Sequence, residues 1–181
     1  MNDVSRSVMA LTSLGVGLVH LAIGAGSPPL PAILLVGFGV AELAWGVAVL
    51  ARGRLLLPNA ALPLALSPLL LWGLDVTVAI VLGGAGATAL LPFGPMAASA
   101  VLSLALGAGL AISRRRAASP RPAASGSRPG RYLLGMTLGA MLVAGLVTPA
   151  LAGTQAGTEA VPHGEHGTEP VKEAPGLHSG H

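Results

Sequence analysis

Five runs of about twenty apolar residues, each long enough to cross the hydrocarbon core of a bilayer, decide what this chain can become. They cover roughly residues 8–26, 32–51, 60–82, 96–113 and 132–151. Only 9% of the 181 residues are charged, against about a quarter in a soluble domain. Such a chain cannot cover a water-facing surface, so its solvent is lipid. In lipid every backbone amide must find its partner within the protein, which leaves helices as the economical answer. The expected fold class is an all-α integral membrane protein, a five-helix transmembrane bundle.

The basic residues orient that bundle. Arg114, Arg115, Arg116, Arg121, Arg128 and Arg131 crowd the connection between the fourth and fifth runs. Short connections rich in Lys and Arg stay on the cytoplasmic side. With 114–131 inside, Arg6, Arg52 and Arg54 fall inside as well, the outer turns 27–31 and 83–94 carry no charge, and only Lys172 lies outside. The expected topology is N-in/C-out in a bacterial plasma membrane. The first run resembles a signal peptide, but no clean small-x-small site follows it, so it reads as a retained anchor. The fifth run ends in Ala150-x-Ala152, which a signal peptidase could cut; an intact anchor ending in small residues accounts for the same pattern and is the reading taken.

Breaks and packing signals are local. Ser27-Pro28-Pro29-Leu30-Pro31 and Gly83-Gly84-Ala85-Gly86 interrupt the apolar runs. Pro63 fits the first turn of the third run, Pro68 is expected to kink it, and Pro95 suits the first residue of the fourth. Small residues four apart allow helices to approach closely: Gly37 and Ala41, Ala44 and Ala48, Gly135 and Gly139, Ala140 and Ala144.

Within the runs the residues able to carry chemistry are His20, Glu42 and Asp75, one on each of the first three. A charge at mid-bilayer costs about 2.5–3.5 kcal/mol on insertion scales, so each is a candidate site residue. At 1.5 Å per residue they lie about 8, 15 and 11 Å below the outer ends of their helices, close enough in depth to share one site. A hydrogen-bonded trio that only fixes helix packing explains the same residues, with Thr77 or backbone near Pro68 as a further partner for Asp75.

From Gly153 the composition changes to Gly, Pro, Glu and His, too poor in apolar residues to fold by itself. This 153–181 tail carries His163-Gly-Glu-His166 and His178-Ser-Gly-His181. Paired imidazoles are ligands for copper and zinc, and a flexible chain holding them suits capture and release better than a permanent metal centre. A solvated tail in which the histidines do nothing is the plain alternative.

Other chemistries are not written here. With no cysteine there is no disulfide or thiolate site, and phosphate-binding glycine loops, dinucleotide fingerprints, nucleophile elbows and helical zinc-protease motifs are missing. Aromatic residues make up 3% of the chain and no basic stripe alternates with them, so nucleic acid is not an expected partner. His20 with Ala22, Gly37-Phe38 leading to Glu42 and Trp45, Asp75, and Thr148-Pro149-Ala150-Leu151-Ala152 before a His-Gly-Glu-His-Gly tail resemble small multi-span membrane proteins of high-GC Gram-positive bacteria. The resemblance implies no activity; it implies that the intramembrane polar residues and the tail belong together. The expectation is a non-enzymatic protein that binds or hands over copper or zinc through His163, His166, His178, His181, His20, Glu42 and Asp75. Its partners would be the bilayer, with a metal-handling protein or a larger membrane complex. The other expectation is a non-catalytic accessory subunit of such a complex.

Overall fold

A computed structural model describes residues 3–83, 90–118 and 129–160. Six helices account for them: α1 (Asp3–Ala25), α2 (Pro29–Arg52), α3 (Pro58–Gly83), α4 (Phe93–Ala117), α5 (Pro129–Ala152) and the single turn α6 (Gln155–Thr158). No strand occurs among the described residues. The first five helices are long and apolar enough to cross a membrane.

Most of the long helices overrun the expected apolar windows, because helix persists where lipid stops. Asp3 opens α1 and bonds Arg6 at 2.8 Å, and α4 runs on through Arg114, Arg115 and Arg116. Acid in a first turn and base in a last turn both suit the helix dipole. Pro95 is accordingly the third residue of α4, not the first. α3 continues as helix through both Pro63 and Pro68. α2 ends on Gly53, whose φ of +60° reverses the chain, and Trp45 Nε1 donates to Leu56 O at 2.7 Å, holding the α2–α3 connection against α2.

α1 is the axis of the bundle, packed against α2, α4 and α5, while α3 leans on α4 and, along a shorter seam, on α2. This explains an inversion of polarity. The central helix buries Ser7, Thr12, Ser13 and His20 among protein, whereas α2, α3 and α5 turn Leu and other large apolar side chains outward. Outward-facing leucine is the expected surface in lipid.

The α1–α2 seam is a backbone contact. A Cβ at Gly17 would lie 2.8 Å from Gly39 O, one at Gly39 would lie 2.8 Å from Gly17 O, and one at Gly46 would lie 2.9 Å from Ala10 O. The residues in register are Ala10, Gly17 and Gly24 against Gly46, Gly39 and Ala32, seven apart on both helices and running in opposite directions. The small residues expected to do this are elsewhere: Gly37 has nothing within 4 Å of a Cβ position, and Ala44 is exposed. On α5 the pair Gly135 and Gly139 is used, receiving Val4 and Val8 of α1 in a parallel packing, while Ala140 and Ala144 face outward.

These directions gather every arginine of the described residues at one end of the bundle: Arg6, Arg52, Arg54, the Arg114–Arg116 run and Arg131. The opposite end is formed by the α1–α2 turn, residues 90–92 and 152–160, with Glu159 and no basic residue among those described. There the chain past Gly153, expected without structure, folds once more: Thr154 accepts from Gly157 N at 3.2 Å as the N-cap of α6.

Candidate functional site

His20 and Glu42 meet between α1 and α2. Nδ1 of His20 and Oε2 of Glu42 are 2.8 Å apart, and the two side chains are 0% and 1% exposed. Geometry along the seam brings them there. Cα–Cβ bonds lean toward the N-terminus of their own helix. In an antiparallel pair, His20 therefore leans back toward Gly17 while Glu42 leans toward Gly39, and those two glycines face each other. Ser13 completes the clamp, its hydroxyl donating to the backbone carbonyl of Glu42 at 2.8 Å.

With a carboxylate oxygen as acceptor, the imidazole donates through Nδ1–H and presents Nε2 as a lone pair. That Nε2, and the other carboxylate oxygen Oε1, are buried without a hydrogen-bond partner. Leaving a buried polar atom unpaired costs about 1–3 kcal/mol. Two more orphaned atoms lie in the interior, Ser103 Oγ on α4 and Trp72 Nε1 on α3. Ser103 was missed in the sequence; its one signal is a hydroxyl four residues after Ser99 within the apolar part of α4, both fully buried.

Asp75 is engaged elsewhere. Its two carboxylate oxygens accept from Leu90 N at 3.2 Å and Leu91 N at 3.1 Å, pinning the approach to α4. Neither Thr77, which bonds Gly73 O, nor backbone near Pro68 is its hydrogen-bond partner. The three intramembrane residues therefore divide into a pair and a loop anchor. Depth put them within reach of one another; rotation about each helix axis separated them.

No group of three or more His, Cys, Asp or Glu side chains able to hold a metal occurs among the described residues. The four tail histidines His163, His166, His178 and His181 lie outside the described residues. Trp72, half-buried, stacks at a tilt on Phe93 with ring centroids 5.4 Å apart, and Trp45 ties down a loop; both are packing residues. Comparison with family models, with curated proteins and with solved structures finds no match for this chain.

Proposed function

We propose that this is a multi-pass protein of a bacterial plasma membrane that binds copper or zinc at the extracytoplasmic face and hands it on. His20 serves as the intramembrane ligand and Glu42 as the carboxylate that orients it. The observation that carries the reading is the buried imidazole itself, with Nδ1 against a carboxylate and Nε2 unpartnered. Metal-ligating histidines are ordinarily held in this way, their second nitrogen donating to a carboxylate that fixes the tautomer and raises ligand basicity. One nitrogen does not make a metal site. The remaining ligands would come from His163, His166, His178 and His181, which follow in sequence after residue 160, itself at the arginine-free end. The collection of arginines at the other end supports the N-in/C-out orientation that puts the tail outside.

The test uses the full chain in lipid nanodiscs titrated with Zn(II) or Cu(II). Parent protein should take up metal in a tight step that His20→Ala abolishes and that replacing all four tail histidines by Ala weakens. Metal uptake unchanged by His20→Ala would overturn the assignment of His20.

The second reading, an accessory subunit without chemistry of its own, draws on α3. Its Leu70, Ile80, Val81 and Leu82 are each at least 69% exposed, the profile of a helix with little packed against it. Retention of a larger complex on gentle solubilisation, with unchanged assembly in His20→Ala and Glu42→Ala, would favour that reading over metal binding.

A further inference from the structure

At the arginine-free end a cavity of about 250 Å³ opens between the α1–α2 turn, residues 90–92 and α6. Its walls include Ser27, Leu90, Leu91, Thr154 and Gln155, and Ile23 reaches it from α1. Ile23 is 2% exposed and follows His20 by three residues, about 4.5 Å along the helix axis. The cavity thus sits one helical turn above the buried imidazole, with Ile23 between them.

We propose that this cavity is the port through which a cation reaches the His20–Glu42 pair, and that Asp75 is the positioning residue that keeps the port open. This rests on the reading of that pair as a cation-binding site. Three observations point the same way. The walls are mixed and include polar residues: Ser27, Thr154 and Gln155 line the cavity beside Leu90, Leu91 and Pro92, and the Ser27 and Thr154 hydroxyls are fixed by donating to the backbone carbonyls of Ile23 and Leu151. The electrostatics of this end favour cations, since its described ionisable groups are Glu159, bonded to Gln155 at 3.1 Å, and Asp75 beneath the loop. The wall formed by Leu90 and Leu91 is held by charge, both backbone amides donating to the Asp75 carboxylate. Gly26 contributes by omission, because a Cβ there would stand 2.9 Å from the side chain of Gln155, another residue of the lining.

The chain contains no cysteine, so single cysteines can be read without background. Full-length Ser27→Cys, Ile23→Cys, His20→Cys and Leu18→Cys proteins in membranes would be treated with a small, membrane-impermeant, cationic methanethiosulfonate. Leu18, 46% exposed on α1, serves as the control away from the cavity. Reactivity should fall from Ser27→Cys to Ile23→Cys to His20→Cys and be negligible for Leu18→Cys. Adding Leu91→Trp to fill the cavity should slow the Ile23→Cys and His20→Cys reactions at least tenfold, and Asp75→Ala, by releasing the Leu90–Leu91 wall, should slow both as well. Rates unchanged or raised by Asp75→Ala would overturn its role in holding the port open. Inert cysteines at 23 and 20, or rates indifferent to Leu91→Trp, would overturn the port. Labelling needs no metal, so the port is judged apart from the binding site. A working port beside a protein that takes up no Zn(II) would overturn the metal reading and with it the port's assigned cargo.

Discussion

Gly17 and Gly39 stand face to face across the α1–α2 seam, each so close that a Cβ would come within 2.8 Å of the other's carbonyl oxygen. Backbone cannot move aside as a flexible side chain can. Gly17→Ala and Gly39→Ala should each destabilise the protein by about 1–3 kcal/mol, the usual range for overpacking. Gly37→Ala, with open space around it, should cost nothing and gain slightly from helix propensity. Thermal unfolding in detergent ranks the three, and equal effects at 37 and 39 would contradict the register.

The His20–Glu42 pair should show the asymmetry of buried hydrogen-bonded groups. Removing one partner leaves the other unsatisfied and costs about 1–3 kcal/mol, more where that group is charged, whereas replacing both by apolar residues costs far less. His20→Phe with Glu42→Leu should therefore be more stable than Glu42→Leu alone. A double-mutant cycle measures this, and strictly additive losses would mean that the two side chains do not interact.

Asp75 should matter locally. Asp75→Ala strips the acceptor from Leu90 and Leu91, bonds to a charged group worth about 1.5–3 kcal/mol each. Amide exchange at Leu90 and Leu91 should accelerate by tenfold or more, while exchange at Glu42 stays unchanged. Asp75→Asn, which keeps one carbonyl oxygen, should fall between. Acceleration spread across α1 and α2 would indicate that Asp75 supports the pair directly.

For the tail, a peptide of residues 153–181 should bind Cu(II) or Zn(II) at pH 7.5 and release it near pH 5. The sign follows from the ligand: neutral imidazole binds metal, and protonation around an ordinary pKa of about 6.5 removes it. Binding that persists after all four histidines are replaced by Ala would assign the ligands elsewhere.

Topology is checked by reporter fusions. Fusions at residues 55–57 and at 118 should report the cytoplasm and a fusion at residue 160 the outside. A tail found inside would remove the basis for extracytoplasmic metal capture.

The number of long helices and their approximate places were legible because spanning length and apolarity are properties of sequence windows. Rotation of a helix about its axis is not. The small residues that bring α1 and α2 together are seven apart, a spacing that a four-residue motif passes over, so Gly37 and Ala41 drew attention that belonged to Gly39 and Gly46. Gly135 and Gly139 were read correctly because α5 packs on α1 with the four-residue spacing. His20 and Glu42 met as depth allowed, but Asp75, at similar depth, turned to Leu90 and Leu91. The turn at 155–158 was hidden by a glycine-rich context whose order comes from Thr154 and from packing on α1 and α5.

The placing of a helix that carries Ser7, Thr12, Ser13 and His20 at the axis has a consequence for synthesis. α1 leaves the ribosome before α4 and α5, with serines, a threonine and a histidine that lipid accepts poorly, and those eventual neighbours do not yet exist. α2 does follow at once, joined by a turn of three residues, Gly26 to Pro28. The two can enter the membrane as one hairpin in which Ser13 and His20 are already bonded to Glu42. Lengthening that turn would delay their meeting and should reduce the yield of inserted protein without touching the finished structure.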